Sequence, residues 1–139
     1  MAKHATLRNG IQTRLKTITG LRAYDVATGN ESLPCATVFP FPPEGGYHKV
    51  TSGSCGMAFM FLVEIHVPLS IGMSKAQDTL DGYIDPQNEA GSVAYAIAAD
   101  PTLGGAATTS IAHAFQTYTI SKINEIPTLM AQMLVEVTA

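Results

Sequence analysis

Charge and cysteine are both scarce in this sequence. Only 14% of its 139 residues are Asp, Glu, Lys or Arg, and Cys35 and Cys55 are its only cysteines. With no secretory signal, the two are expected as free thiols in a reducing cytosol, and a disulfide between them is possible but unneeded. Eight basic residues against eleven acidic ones leave a net charge of -3. That balance gives no general attraction to nucleic acid, so DNA binding is not the expected task. The most apolar run, Met57 to Ile71, contains Glu64, His66 and Pro68 and is too short to span a bilayer. Internal repeats, low-complexity tracts and a linker to a second domain are also missing.

What is present is a hydrophobic fraction of 46%, too high for a disordered chain and sufficient for one buried core. The length suits a single domain over residues 1–139. Few charges on so small a domain also leave apolar surface for other subunits to cover, a hint of oligomerisation.

Leu7, Ile11, Leu15 and Ile18 recur at helical spacing and predict an amphipathic first helix, interrupted by Gly10 and stopped by Gly20. Leu21 to Val26 and Pro34 to Phe41 read as strands, the second bounded by prolines. Glu44 to Gly56, rich in Gly, Ser and Thr, reads as a long exposed loop or hairpin tip with Tyr47, His48 and Lys49 at its centre. Met57, Phe59, Phe61, Val63, Ile65 and Val67 alternate along the next strand. Its other face begins with Ala58, Met60 and Leu62, which need cover from a helix or a neighbouring subunit, and ends with Glu64 and His66.

Ser74 and Gln77 form an apparent capping box for a second helix that Pro86 ends, and Ser92 caps a short third helix closed by Asp100-Pro101. Ser110 to Ile120 and Leu129 to Val137 predict a terminal hairpin with Ser121 to Pro127 as its tip. The order α-β-β-β-α-α-β-β implies an α+β fold, a mixed but mainly antiparallel sheet packed by two to three helices.

Chemistry is harder to find. Cys35, His48, Cys55 and His66 are ligand types, but no C-x-x-C or H-x-x-x-H spacing joins them, so no metal site is expected. Gly53-Ser54-Cys55-Gly56 resembles a nucleophile turn, with His48, His66 or His113 as base and Glu64 or Asp25 as orienter. It lacks the strand-to-helix context of such turns. Gly104-Gly105 has neither G-x-G-x-x-G nor a following Lys-Ser/Thr, and reads as a turn. Glu64 and His66 suit a polar, solvent- or interface-facing edge as well as an acid/base pair. Lys3, Arg8, Arg14 and Lys16 read as a solvated helix face, and the methionines as core or interface filler. No catalytic residue, cofactor or metal is assigned.

Several segments carry a family resemblance: Ala99-Asp100-Pro101-Thr102-Leu103-Gly104-Gly105, preceded by Gly91-Ser92-Val93; Gly20-Leu21-Arg22-Ala23-Tyr24-Asp25 after the first helix; Pro34-Cys35-Ala36-Thr37-Val38; and Ala76-Gln77-Asp78-Thr79-Leu80-Asp81-Gly82-Tyr83. In joint order and spacing the chain resembles the tail terminators of long-tailed, actinobacteriophage-type phages. The loop from Pro42 to Gly56 and the tip from Ser121 to Pro127 depart from that pattern.

The resemblance implies a non-enzymatic virion protein without cofactors, assembled in the host cytoplasm. It would form a homohexameric ring that caps the head-proximal end of the tail tube, ends tube polymerisation and offers a head-tail joining surface. Its partners would be the tail tube protein and a head-completion (stopper) protein, with genomic DNA passing through the lumen unread and no membrane involved. Tyr47, His48 and Lys49 are then candidate tube or neck contacts, and Ala58, Met60 and Leu62 a candidate subunit interface. The alternatives are another neck or tail-completion (head-tail connector) protein and, ranked behind it, a small cytosolic Cys/His hydrolase.

Overall fold

The computed structural model describes residues 3–24, 33–40, 47–50, 57–85, 91–107, 109–123 and 125–138. Along them run α1 (Lys3–Leu15), β1 (Arg22–Tyr24), β2 (Cys35–Pro40), β3 (Tyr47–Val50) and β4 (Met57–Pro68). A 3-10 turn (Leu69–Ile71) leads into α2 (Met73–Ile84), α3 (Val93–Ala99), β5 (Thr109–Ile123) and β6 (Ile126–Thr138). The strands form one sheet in the order β1-β2-β4-β6-β5, with β3 also paired to β4. Among the described strands only the β1–β2 pair is parallel. The fold is α+β, as the order of elements predicts.

Alternation along β4 decides which face is covered. Phe59, Phe61, Val63, Ile65 and Val67 are buried in one cluster with alternate residues of β2 and β6. The same cluster receives Leu7, Ile11 and Leu15 from α1, Ala76, Leu80 and Ile84 from α2, and Val93, Ala96 and Ile97 from α3. All three helices therefore pack on one face of the sheet. Each large apolar side chain so buried contributes about 1.5–3 kcal/mol.

Gly10 sits inside α1, where glycine costs about 1 kcal/mol against alanine. The reason is a close approach: a Cβ there would lie 3.0 Å from the Leu103 Cβ and 3.2 Å from its carbonyl oxygen. Leu103 has φ 53 and is nevertheless buried. Burying a leucine offsets the roughly 1–2 kcal/mol that a left-handed residue costs.

Four expectations change. Glu44 to Gly56 is not all loop, because Tyr47–Val50 pairs antiparallel with the start of β4; Tyr47 and Val50 favour an extended strand, and β4 offers its edge there. The Ser74–Gln77 capping box does not form, since α2 begins at Met73 with Gly72 as N-cap and no side-chain cap bond. The terminal hairpin is longer than predicted, with Ile123 registered against Ile126 and Glu125 at φ 69 between them. Met60 is already buried within the single chain although no described helix covers its face. It lies in an inner strand flanked on both sides by others, whose side chains can shield it.

The Gly10–Leu103 approach makes a direct prediction. Gly10→Val should lower the unfolding free energy by about 1–3 kcal/mol through overpacking. Urea denaturation monitored by circular dichroism measures it, and an unchanged midpoint would mean that α1 and the Leu103 turn are not in tight contact.

Candidate functional site

Strand pairing brings together side chains far apart in sequence. On the face away from the helices, Cys35, His66 and Met130 form one cross-strand row, and Thr37, Glu64 and Gln132 the next. The His66 Nε2 lies 2.7 Å from Glu64 Oε1, and its Nδ1 lies 2.8 Å from Thr128 Oγ1. Gln132 Nε2 donates to the other Glu64 oxygen at 2.9 Å.

The hydrogen bond from His66 holds the Glu64 carboxyl below its ordinary 4.5, Gln132 and the His66 charge add to this, and burial opposes it. An ionised Glu64 can only accept, so the imidazole presents a proton to it from Nε2, and Nδ1 lies within hydrogen-bond distance of the Thr128 hydroxyl. The connectivity hydroxyl–imidazole–carboxylate is that of a nucleophilic triad. Thr128, however, is 0% exposed and His66 3%, so in this structure a substrate has no path to the hydroxyl. The cluster acts as a buried brace across β4 and β6, with both ring nitrogens and both carboxylate oxygens satisfied.

Of the two readings of Glu64 and His66, the solvent- or interface-facing polar edge does not hold: they lie on an inner strand of the sheet, with His66 buried. Thr128 and Gln132 were missed, because a partner 62 or 68 residues away leaves no local pattern. Cys35 stands opposite His66 as a buried thiol. Among the described residues no group of three or more His, Cys, Asp or Glu side chains could hold a metal ion. Cys55 lies outside the described residues, as does Asp25. His113, offered as a base, is exposed on β5.

Tyr47, His48 and Lys49 lie on β3 rather than in a loop, and only their backbone is among what is described. They are thus tied to β4 and not to the buried cluster. Of the other three, Leu62 is half-buried and Met60 buried, while the Ala58 side chain is outside the described set.

The Asp100–Gly105 turn is a braced structural element. The Asp100 carboxylate accepts from Thr102 Oγ1 at 2.7 Å and from the Gly104 amide at 3.0 Å, and these bonds, Thr102 first, hold its carboxyl below the usual range. Gly104 and Gly105 take φ 71 and 94, conformations open chiefly to glycine. Ser110 Oγ donates to the Pro101 carbonyl at 2.8 Å, tying the turn to β5. Helix α3 is set by its cap, Ser92 Oγ accepting from the Tyr95 amide, and by Arg14 Nε donating to the Ala96 carbonyl.

One surface was not visible from sequence. Strand β5 is the last in the sheet order and exposes Ile111 (53%), Phe115 (44%) and Ile120 (59%). An open, mainly apolar groove of about 320 Å³ runs beside it, between Tyr95 and Ala98 of α3 and Ile111 of β5. Its strand pattern was legible, but nothing local marks a strand as the outermost one. Exposed apolar residues along an edge strand are the mark of a protein–protein contact.

The buried cluster predicts both a stability loss and a pH dependence. His66→Ala should cost about 1–3 kcal/mol, because Glu64 and Thr128 lose partners. As the folded-state pKa of Glu64 lies below 4.5, its contribution is present above that pH and is lost as pH falls through the folded value. The stability advantage of the natural chain over Glu64→Gln should therefore shrink below about pH 4.5, as chemical denaturation across pH would show. An advantage that stays constant would mean that the carboxylate charge contributes nothing. No protein-family model matches the sequence, and no curated protein is similar to it.

Proposed function

We propose that the chain is a structural subunit of a phage particle, a tail terminator whose ring caps the head-proximal end of the tail tube. What supports this reading is the joint order of the resembling segments, together with the way they pack. Gly20 to Asp25 follows α1, whose Gln12 Nε2 donates to the Ala23 carbonyl. The Arg22 amide of β1 donates to the Pro34 carbonyl at the start of β2. The Asp100–Gly105 turn packs Leu103 against Gly10, and Asp81 of α2 accepts from the Tyr118 hydroxyl. The resembling segments thus contain several residues that join α1, β1, β2, α2 and the turn.

A terminator needs no reaction centre; it needs a stable plate with surfaces for its own copies, for the tube and for the head-completion protein. The exposed apolar edge on β5 suits the first of these. None of the described helices is long and apolar enough to cross a membrane. The other neck or tail-completion proteins form the second reading, since they too present surfaces to neighbouring rings.

Deleting the gene from the phage that encodes it separates the two. A terminator predicts tubes of unregulated, excessive length that do not join heads, seen by electron microscopy. Tubes of normal length with unjoined heads would favour the neck reading, and unaltered particles would overturn both.

A further inference from the structure

We infer that the β5 edge of one subunit docks against the α1–β1 edge of a second copy of this chain, head to tail. This rests on the ring reading above and names the surfaces that would close the ring. The first observation is a long edge whose guards are confined to one lysine and two register shifts. Strand β5 has 15 residues, about 50 Å of edge, and no described strand pairs with its outer side. Edge strands are commonly protected by charges and proline. Strand β5 has no proline and no acidic residue, and Lys122 is its only lysine or arginine. Its register shifts lie between Ala112 and Thr117, whereas Thr117 to Ile123 pairs without a break against Gln132 to Ile126.

The second observation is a separation of charge across the sheet. Residues 3–24 hold Lys3, Arg8, Arg14, Lys16 and Arg22 and not one acidic residue; Lys16 and Arg22 are exposed. At the opposite edge acids outnumber bases, with Asp78, Asp81 and Glu125 set among Lys75 and Lys122. Tyr118 of β5 donates to Asp81 at 3.0 Å, Asp78 acts electrostatically on the same phenol, and Glu125 sits at the hairpin turn beside β5. Two β5 edges brought face to face would set these acids against each other, whereas the α1–β1 edge is their electrostatic complement.

The third observation concerns height. Arg22, Cys35, His66, Met130 and Thr119 lie in one unbroken row across the sheet, and Tyr24, Thr37, Glu64, Gln132 and Thr117 in another. The rows cross the five strands without an offset, while the sheet's twist, roughly 20–25° per strand, turns the two outermost strands against each other. A head-to-tail contact between two such edges closes into a ring when no rise separates them, and otherwise winds into a filament. The Ala23 carbonyl of β1 already accepts from Gln12, so the contact is not a simple extension of the sheet. The exposed Lys16 and Arg22 would instead supply positive charge and donors to the carbonyls of a neighbouring β5 and to the acidic groups beside it.

Charge reversal tests this with the full-length chain. The variants K16E/R22E and D78K/E125K, each checked for folding by circular dichroism, would be followed by sedimentation at low salt, alone and mixed. Each alone should associate at least about tenfold more weakly than the natural chain. The mixture should recover assembly as an alternating ring, because every junction again joins opposite charges. If both variants assemble like the natural chain, the interface lies elsewhere and the proposal fails. If only D78K/E125K is impaired, β5 meets something other than α1–β1, and the head-to-tail geometry fails. A natural chain that stays monomeric at all attainable concentrations also overturns it. Rings joined by another face would leave the terminator reading intact, while β5-to-α1 rings in a phage whose tubes stay normal without the gene would sink that reading alone.

Discussion

All three helices share one face of a sheet whose central strand, β4, must satisfy two environments at once. Every second residue from Phe59 to Val67 enters the helix-covered core. A shift of pairing by a single residue would exchange that set for Met60, Leu62, Glu64 and His66. The buried hydrogen-bond cluster makes such a slip costlier. With Glu64 and His66 each bonded to partners on β6, moving the register would leave a carboxylate and an imidazole without partners. Apolar burial supplies most of the stability, and the polar cluster makes one register the favoured one.

The helices are held by equally specific contacts. Gly10 lets α1 approach Leu103, and Arg14 of the same helix reaches the Ala96 carbonyl on α3. Helix α2 is joined to β5 through Tyr118 and Asp81, and the phenol's pKa is pushed up to about 12, by burial first and by the two aspartates after it. Sequence segments that look unremarkable one at a time therefore meet in the folded chain.

Much of this architecture was legible. Helical spacing located α1, the Ser92 cap located α3, and strict alternation located the core face of β4, because each depends on neighbours within a few residues. What could not be read depends on distant partners. Tyr47–Val50 became a strand by pairing with β4, and the hairpin lengthened by a turn closed at Glu125. Glu64 and His66 found Thr128 and Gln132, which gave a cross-strand brace where a solvent- or interface-facing edge or an acid/base pair was expected. The outermost position of β5, and with it the exposure of Ile111, Phe115 and Ile120, follows only from the complete strand order. That edge stands beside Ala58, Met60 and Leu62 as a candidate interface, with Met60 already buried in the single chain.

The central claim is that this fold sits as a closed ring at the head-proximal end of a tail tube. Electron cryo-microscopy of intact particles tests it most directly, by fitting the subunit into density of the neck. The account predicts six copies in one ring on the last layer of the tube. Density there that fits a different fold, or that places this subunit elsewhere in the particle, would contradict it.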